Sequence, residues 1–566
     1  MNFFELSQSI ISNALAVLFP EKKFNTTVEI SLTKDDKFGD FQSNVAFKIA
    51  KDVGLAPSVL AQKIVHHFDS NLPLTFSVAG AGFINITIKE EALLQAAEHL
   101  PKFFSEKKHQ GEKIIVEYSS PNVAKELHVG HLRSTIIGDA LANCFESVGY
   151  DVLRLNHVGD WGTAFGMLIA YIKRHRLDYN NTNLSLSTLM EWYQQSKVEF
   201  DNSPEVYEDS KKEVVALQQG DPENLKIWQI LCSISEQGYQ KIYDALSIEG
   251  LHVRGESFYN PYLPKVIEDF KEKSLLTYSD GAACVFLEGF KNRENQPLPL
   301  IIQKADGGYN YATTDLASVR YRIFEDRALR IYYVTDNGQR DHFSMIFAAA
   351  EKVGYASKDQ LIHVPFGIVQ DEFKKRFKTR SGGVIKLQDL LDEAYQRAHS
   401  IATERHLSNP DHFAKVVGYG ALKYADLSSN RIMDYVFDFD RMLAFEGNTI
   451  VYLLYSYVRA SSILKKADHD ENKFIYPQGS LNPSERRLLI QCLLYPHTVS
   501  SVLKYANPHL LCEYLYELAT RFNHFFRDCP VLNAEEKSSR LSYVILFKSV
   551  LKQGLSLLGL NTIDEM

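Results

Sequence analysis

The stretch at residues 113–149 constrains the fold of this 566-residue chain more than any other. Residues 114–116, Ile-Ile-Val, are a short continuous apolar run, which is typical of a strand buried on both faces of a parallel sheet. A polar loop at 119–127 follows, and a helix is predicted from 128 to 148, closed by Gly149. Strand, loop and helix in this order predict the first unit of an open α/β sheet.

Later segments repeat this alternation. Short apolar runs at 329–335 and 361–369 are separated by a helical stretch at 341–353. This βα alternation predicts a Rossmann-type, doubly wound parallel sheet over residues 111–435. Polar helical sequence interrupts it between about 165 and 300, which we interpret as an insertion in this domain.

The two flanking regions differ from the sheet domain and from each other. Residues 1–110 mix helical segments with an alternating strand at 83–88, which predicts a small α+β domain. Residues 436–566 show helical periodicity almost throughout, as in Leu515, Leu518, Phe522 and Phe525, which predicts an all-α bundle. A multidomain α/β protein of three domains suits the length of the chain.

Composition excludes several classes of protein. The 62 basic and 70 acidic residues give a net charge of −8, which argues against indiscriminate polyanion binding but leaves room for a local basic groove. No uncharged run reaches the ~18 apolar residues of a membrane span. Six scattered cysteines form no CxxC pair, so neither a disulfide framework nor a zinc ribbon is expected. Glu5 precedes the first apolar stretch, unlike in a signal peptide, and a soluble cytoplasmic protein is expected.

Glu117 ends the first apolar run, where an unpaired carboxylate costs several kcal/mol. One interpretation is an internal salt bridge to an arginine or lysine of the framework. The other is a receptor for a cationic ligand group, because open α/β sheets bind ligands at the carboxyl ends of their strands.

The segment 128–131, His-Val-Gly-His, falls where the loop gives way to the helix. Backbone N–H groups at a helix start attract phosphate, and two imidazoles three residues apart can donate from one side of the first turn. Gly130 would let a flat base approach the backbone. Solvated or structural histidines remain the alternative; no third ligand has zinc spacing, so no protein metal site is predicted.

These residues carry a resemblance to a known family. HVGH resembles the HIGH signature of class I aminoacyl-tRNA synthetases, and the longer string VEYSSPNVAKELHVGHLRSTIIGD resembles arginyl-tRNA synthetases specifically. Further matches are spread over nearly the whole chain in the family's order: FGDFQSN (38–44), AGAGFINI (79–86), DGGYNYATTDLA (306–317), FKTRSGG (377–383), LQDLLDEA (387–394), GALKYADLSSNR (420–431), FEGNT (445–449) and CPVL (529–532).

The resemblance implies a ligase that activates L-arginine with ATP and Mg²⁺ to arginyl-adenylate. It then transfers the arginyl group to the 2′-hydroxyl of the terminal adenosine of tRNA(Arg), releasing AMP and pyrophosphate. Activation is expected only with tRNA bound. Residues 1–110 would bind tRNA, 111–435 would be catalytic and 436–566 would bind the anticodon. A monomer is expected.

The resemblance also assigns roles to single residues. Arginine would contact residues of three segments, with the Glu117 carboxylate accepting parallel bonds from the guanidinium; these residues are Glu117, Ser119, Asn122, His128, Tyr311, Asp315 and Gln339. ATP and its leaving group would contact Lys125, His128, Gly130, His131, Lys378 and Arg380, of which all but Gly130 are the predicted catalytic groups. In the segment that matches the second ATP signature, Arg380 replaces one lysine and Phe377 the other.

For tRNA, the resemblance indicates stacking and amide contacts in the first domain and aromatic faces with a cation in the last. The candidates are Phe38, Asp40, Gln42, Tyr452, Tyr455, Arg459 and Met566. Helical spacing cannot turn Tyr452, Tyr455 and Tyr457 all to one side, so we expect at least one of them in the core.

Three rivals remain. A cysteinyl or glutamyl synthetase would share the sheet, but Glu117 argues against glutamate as a substrate and the missing zinc spacing against cysteine. A small-molecule adenylyltransferase shares the HxGH site but rarely carries regions such as 1–110 and 436–566. A tRNA-binding paralogue without activity is disfavoured by the intact histidines.

Overall fold

The computed structural model describes residues 2–24, 27–33, 35–181, 183–370, 385–467, 474–477 and 479–566. A mixed α/β architecture with a parallel sheet, an N-terminal α+β region and a helical C-terminal region confirms the predicted fold class. No helix among the described residues is long and apolar enough to cross a membrane.

The N-terminal region is built on a four-stranded antiparallel sheet in the order β1-β2-β4-β3. The turn before β2 needs glycine, because Gly39 has φ +78° and a Cβ there would lie 2.5 Å from the Thr87 hydroxyl. The elements are α1 (Phe3–Leu18), β1 (Ile30–Leu32), β2 (Phe41–Ser43), α2 (Val45–Val53), α3 (Pro57–His66), β3 (Leu74–Ala79), β4 (Phe83–Ile88) and α4 (Glu90–Phe103).

The middle region alternates strands and helices, as the sequence predicts, and adds short elements that it does not. They are β5 (Lys113–Glu117), α5 (Val129–Ser147), β6 (Asp151–Asn156), α6 (Thr163–Arg174), α7 (Leu186–Asn202), α8 (Pro204–Gln218), α9 (Pro222–Ala245), β7 (His252–Val253), α10 (Leu263–Glu272), β8 (Thr277–Ser279), β9 (Ala282–Lys291), β10 (Pro297–Gln303), α11 (Tyr311–Phe324), β11 (Arg330–Asp336), α12 (Arg340–Val353), β12 (Leu361–Phe366), β13 (Val369–Gln370), α13 (Leu387–Glu404), α14 (Pro410–Phe413), α15 (Gly420–Leu427), β14 (Tyr435–Val436) and α16 (Phe439–Met442).

The central sheet is fully parallel and has the order β12-β11-β5-β6-β7. The strand that follows β5 in the chain pairs on one of its sides, and the later strand β11 pairs on the other. The strand order therefore reverses at β5, and ligands of open α/β sheets bind at such a reversal. The interior of β5 is fully buried, which agrees with its unbroken apolar sequence.

The predicted insertion, at about 165–300, does not lie wholly outside the central sheet. Helices α6 to α9 share a core of their own, whereas β7 returns to the central sheet as its edge strand. A separate antiparallel sheet, β8 to β10, comes next. Because β7 has only two residues, it leaves no periodic signal in the sequence.

The C-terminal region is helical and contacts both other regions. It consists of α17 (Ile450–Ala467), α18 (Pro483–Leu493), α19 (Tyr495–Tyr505), α20 (His509–Asp528) and α21 (Lys537–Leu557). Helix α18 packs against α4, and α19 and α21 pack against α5. The helix that begins with HVGH is thus held between the central sheet and the helical region.

Candidate active site

The two histidines of HVGH cap their own helix. His128 is the N-cap residue of α5, and its Nδ1 accepts a bond of 3.1 Å from the Gly130 amide. In return, the His128 amide donates to Nδ1 of His131 at 3.0 Å. A Cβ at position 130 would lie 2.9 Å from the His128 ring, so glycine is what leaves room for this arrangement.

This reciprocal cap sets the tautomer of each ring when that ring is neutral. A neutral imidazole whose Nδ1 accepts a hydrogen bond carries its hydrogen on Nε2. Burial, with His128 and Lys125 nearby, lowers the pKa of His131 to about 3. His131 is therefore a neutral Nε2–H donor at physiological pH, and its protonation does not change as pH varies around neutrality.

The loop between β5 and α5 is held in an unusual backbone conformation. Ser119, Ser120 and Ala124 have φ values of 69°, 45° and 62°, a region that non-glycine residues rarely occupy. Helix α9 supports the loop, because the Tyr239 hydroxyl donates to the carbonyls of Asn122 and Lys125 at 2.7 and 2.9 Å. Strained backbone that neighbouring elements hold in place is common at active sites.

Lys125 and the second predicted ATP segment are placed only in part. The Lys125 ammonium lies 5.1 Å from the centre of the Tyr193 ring, close to HVGH. Lys378 and Arg380 lie outside the described residues. Just after that gap, Lys386 forms an isolated bridge with His128 and a 2.8 Å ion pair with Glu126. Lys386 therefore lies directly beside the HVGH turn.

Glu117 lies in the internal salt bridge that was one of its two interpretations. Its Oε2 is 2.5 Å from Nη1 of Arg322, and the two residues are 4% and 0% exposed. The Arg322 guanidinium also lies over the rings of Tyr259 and Tyr333. Glu117 therefore has a countercharge from within the chain, and its predicted contact with the guanidinium of arginine stays a prediction.

Asp315 and Tyr311 occupy the first turn and a half of α11, and they project at the same edge of the sheet. Oδ2 of Asp315 is 2.6 Å from Nε2 of His342, and this bond raises the pKa of that histidine. Tyr311 is 69% exposed, so its ring is open to a ligand.

Glu256 is an acidic residue that the sequence analysis missed. It follows the edge strand β7, and burial together with the negative charges of Asp315 and Asp160 raises its pKa to about 8. Asp160 is held by the amide and hydroxyl of Ser257, and a Cβ at Gly255 would lie 2.3 Å from its carboxylate. Three carboxylates, Glu256, Asp315 and Asp160, thus lie close together, a setting that favours a cationic ligand.

The remaining predicted arginine contacts lie along the same edge. Ser119 is buried, and its hydroxyl is 2.8 Å from that of Tyr243 on α9. Asn122 is exposed and bridges to Gly159. Gln339 follows β11, is exposed and donates to Asp336 at 3.2 Å. Among the described residues, no group of three or more His, Cys, Asp or Glu side chains is arranged to hold a metal ion.

Comparison with known proteins decides the family. Three family models together match almost the whole chain: the arginyl tRNA synthetase N terminal domain at residues 5–88, the catalytic domain of tRNA synthetases class I (R) at 92–439, and the DALR anticodon binding domain at 453–566. The chain belongs to the arginyl-tRNA synthetase family. This agrees with the resemblance found in the sequence. It does not agree with the alternative interpretations as a cysteinyl or glutamyl synthetase or as a small-molecule adenylyltransferase.

Relatives within the arginyl-tRNA synthetase family match from end to end. An arginine–tRNA ligase of Synechococcus is 46% identical over 98% of both chains, and one of Protochlamydia amoebophila is 45% identical over 99% of this chain and 98% of its own. The crystal structure of arginyl-tRNA synthetase from Plasmodium falciparum has a TM-score of 0.87 and 32% identity, covering 100% and 99% of the two chains.

The N-terminal residues singled out by resemblance to the synthetase family differ in their surroundings. Phe38 is 36% exposed, and Lys37 lies over its ring at 4.9 Å. Asp40 instead forms a 2.6 Å ion pair with Arg486 of α18 and accepts a bond from the Ile88 amide. Gln42 donates to its cross-strand neighbour Asn85 at 2.7 Å. Asp40 thus already joins the N-terminal and helical regions.

In the helical region, the predicted residues form a partly exposed aromatic platform. The Arg459 guanidinium lies between the rings of Tyr455 and Phe526, 4.8 and 4.9 Å from their centres, and both rings are 41% exposed. Phe526 was not predicted, because it belongs to α20, far away in the sequence. Tyr452 bonds with Asn523, whereas Tyr457 is buried.

The last predicted contact of the synthetase family, Met566, is partly buried against the helical core. The chain end is held nearby, since the carboxylate of Glu565 accepts a bond from the Ser408 amide at 3.2 Å. The C-terminal residue is therefore next to the catalytic region as well as to the bundle.

Proposed function

We propose that this protein is an arginine–tRNA ligase. It activates L-arginine with ATP to arginyl-adenylate and transfers the arginyl group to the terminal adenosine of tRNA(Arg). Membership of the arginyl-tRNA synthetase family over the full chain supports this most strongly. The cluster of Glu256, Asp315 and Asp160 fits the charge of the amino acid.

Arginine would enter with its guanidinium toward Glu256 and Asp315, and with Tyr311 beside it. A planar guanidinium presents five donors in a fixed fork, which matches two carboxylates better than a lysine ammonium does. The raised pKa of Glu256 supports this placement, because burial and the neighbouring carboxylates of Asp315 and Asp160 disfavour its negative charge until a cation binds beside it. Glu117 would support the pocket through Arg322.

The α-amino and carboxylate groups of arginine would lie toward the switch point of the sheet. Asn122 and Gln339 are exposed there and offer amide groups, while Ser119 holds the loop through Tyr243. These contacts would turn the substrate carboxylate toward the phosphates of ATP.

ATP would bind over the start of α5. The Nε2–H groups of His128 and His131 would donate to phosphate oxygens, Gly130 would lie under the adenosine, and Lys125 would face the developing negative charge. From the sequence, Lys378 and Arg380 add cations for the pyrophosphate leaving group. Mg²⁺ would arrive bound to ATP and neutralise part of the phosphate charge.

The chemistry needs no protein nucleophile. The arginine carboxylate attacks the α-phosphorus in line and pyrophosphate leaves; the 2′-hydroxyl of tRNA then attacks the adenylate carbonyl and AMP leaves. The protein contributes positioning and fixed donors. We also propose that the first step requires bound tRNA, that the enzyme is a monomer, and that it works in the cytoplasm, as its six free cysteines suggest.

tRNA would contact two surfaces. Phe38 and Gln42 of the N-terminal region would contact one part of it, and the platform of Tyr455, Arg459 and Phe526, with Tyr452 and Met566, would contact the anticodon arm. Asp40 would contribute through its ion pair with Arg486 by fixing the two regions relative to each other.

An aminoacylation assay tests the proposal. The purified protein is incubated with ATP, a tRNA(Arg) transcript and radioactive arginine, lysine, glutamate or cysteine in parallel. We expect charging with arginine alone. Charging with another amino acid would contradict the pocket assignment, and no charging at all would contradict the proposed function.

A further inference from the structure

Arg431 is a buried cation at the junction of the catalytic and helical regions. It lies just after α15 and is 9% exposed. Its guanidinium donates to the carbonyls of Ala506 at 2.7 Å, Pro365 at 2.5 Å and Tyr505 at 3.4 Å. Burial lowers its pKa to about 10. Its hydrogen-bond partners within the described part of the chain are all backbone carbonyls.

Two of these carbonyls belong to the end of α19 in the helical region. Ala506 is the C-cap residue of that helix, with φ 48°, and Tyr505 is its last residue. The final carbonyls of a helix lack partners and carry partial negative charge, so a cation there completes the helix. Arg431 thus caps α19 from the catalytic region.

The third carbonyl connects this cap to the central sheet. Pro365 is the residue before the last one of β12. The backbone carbonyl of Arg431 in turn accepts a bond from the Gly367 amide at 2.8 Å. Side chain and main chain of one residue therefore hold both the end of α19 and the end of β12.

From β12 the contacts continue to the start of α5. Arg133 lies two residues after His131, is fully buried, and forms an ion pair with Asp426 at 3.1 Å. It also donates to the carbonyls of Gly367 at 2.6 Å and Arg431 at 3.4 Å. A continuous series of hydrogen bonds therefore runs from α19 through Arg431, Gly367 and Arg133 to the ATP-binding turn.

Stability alone is a poor explanation for Arg431. Removing a cation from water is costly, and apolar residues of similar size often stabilise such positions as well or better. Arg133 at least has the countercharge of Asp426, whereas Arg431 has only carbonyl dipoles. What the guanidinium does provide is a fixed geometry, because its planar fork joins backbone atoms of two regions.

We propose that Arg431 is a positioning residue for the aminoacylation reaction, which couples binding of the anticodon arm by the helical region to the placement of the HVGH turn. The proposal rests on the proposed function, since it assumes that tRNA binds the helical region and that ATP binds at α5. Binding that shifts α19 moves the end of β12 through Arg431, and with it the start of α5.

A double comparison of enzyme and tRNA tests this coupling. Wild type, Arg431→Met and Arg431→Lys are assayed for kcat and KM with tRNA(Arg) and with a tRNA that carries one anticodon substitution. Lys423→Met is the matched control, because Lys423 is also a buried cation that joins backbone of two regions, donating to Gly559 after α21 at 2.6 Å and to Leu246 at the end of α9 at 2.7 Å. It contacts the later part of α5, near Asp139, instead of its start.

In wild type, the anticodon substitution should lower kcat about tenfold, a typical size for coupling between two sites. In Arg431→Met, kcat should be low with both tRNAs, and the anticodon penalty on kcat should shrink to about twofold while the penalty on tRNA affinity persists. Arg431→Lys should recover part of the tenfold difference. Lys423→Met should keep it in full, even where its melting temperature falls.

Several results would overturn the proposal. The two penalties could multiply, so that Arg431→Met loses a further tenfold in kcat with the substituted tRNA. Lys423→Met could lose the anticodon penalty equally, or wild-type kcat could be indifferent to the anticodon. If Arg431→Met does not fold, Arg431→Lys decides by the same comparison. A wild-type protein that charges no tRNA would instead contradict the proposed function.

Discussion

Glu117 and Glu256 lie at the same edge of the central sheet, at the end of β5 and shortly after β7, but in opposite electrostatic conditions. Glu117 is buried against Arg322, with 2.5 Å between the charged atoms. Glu256 faces Asp315 and Asp160, which with burial raise its pKa to about 8. One carboxylate is compensated within the chain, and the other is left short of positive charge.

This difference bears on which of the two carboxylates we expect to receive a substrate guanidinium. A compensated pair has no electrostatic need for a ligand, and separating it costs more than it gains. A carboxylate with a raised pKa stores unfavourable interaction that a bound cation relieves. Position at the end of the first buried strand directs attention to Glu117, but the balance of charge favours Glu256 with Asp315.

The largest expected effect is on stability. Glu117→Gln leaves the buried Arg322 without its countercharge, so the free energy of unfolding should fall by about 3–5 kcal/mol in denaturant titrations. The matched control is Asp326→Asn, which breaks the more exposed ion pair with Arg254 and should cost less. A Glu117→Gln variant that is as stable as wild type but has a raised KM for arginine would reverse the comparison. It would show that Glu117 contacts arginine.

Asp315→Asn should cause the largest loss of activity. Losing one charge-assisted bond to the guanidinium, worth ~3 kcal/mol, lowers kcat/KM for arginine about a hundredfold. Steady-state aminoacylation measures this, with Asp269→Asn as the control because Asp269 pairs with Arg320 of the same helix outside the pocket. Equal kinetics for the two variants would exclude Asp315 from arginine binding.

Glu256→Gln should separate stability from activity. It should lower kcat/KM for arginine about tenfold, since a charged partner is lost. The raised pKa means that folding favours the protonated form, so the stability of wild type falls as pH rises from about 4.5 toward 8. The variant should therefore be as stable as wild type at pH 5 and more stable at pH 8. Glu249→Gln, an exposed carboxylate on the same stretch, should change neither property.

The smallest expected effect is in the pH dependence of wild type. Below pH 8 arginine must displace a proton from Glu256, so KM for arginine should fall as pH rises from 6 to 8, by no more than the about tenfold effect of Glu256→Gln. The variant should show a flatter profile over the same range. A wild-type profile identical to that of Glu256→Gln would show that Glu256 keeps one protonation state throughout.

The sequence predicts much of the fold and only part of the site, for physical reasons. Strand β5 and helix α5 are foreseeable because burial on both faces and a helix start impose a residue pattern over many positions. The two residues of β7 impose none, so the position of Glu256 at the sheet edge stays hidden. Only the neighbouring Gly255, which the Asp160 carboxylate crowds, hints at a packed turn.

A second limit is that the sequence does not reveal which side chains from distant segments meet in the fold. Whether Glu117 meets Arg322 or a substrate depends on where the last turn of α11 packs, and no spacing in the chain encodes that. Asp40 and Phe526 show the same limit, since their partners Arg486 and Arg459 come from other elements. The position of HVGH at the start of a helix is predictable from the sequence, but the reciprocal cap of its two imidazoles is not.

ATP–pyrophosphate exchange with arginine, with and without tRNA(Arg), tests the central claim most directly. The account predicts exchange that depends on arginine and appears only when tRNA is present. Exchange without tRNA would keep the arginine–tRNA ligase and remove the requirement for bound tRNA. Absence of exchange under both conditions would contradict the account, because a pocket that cannot form arginyl-adenylate is not the active site described.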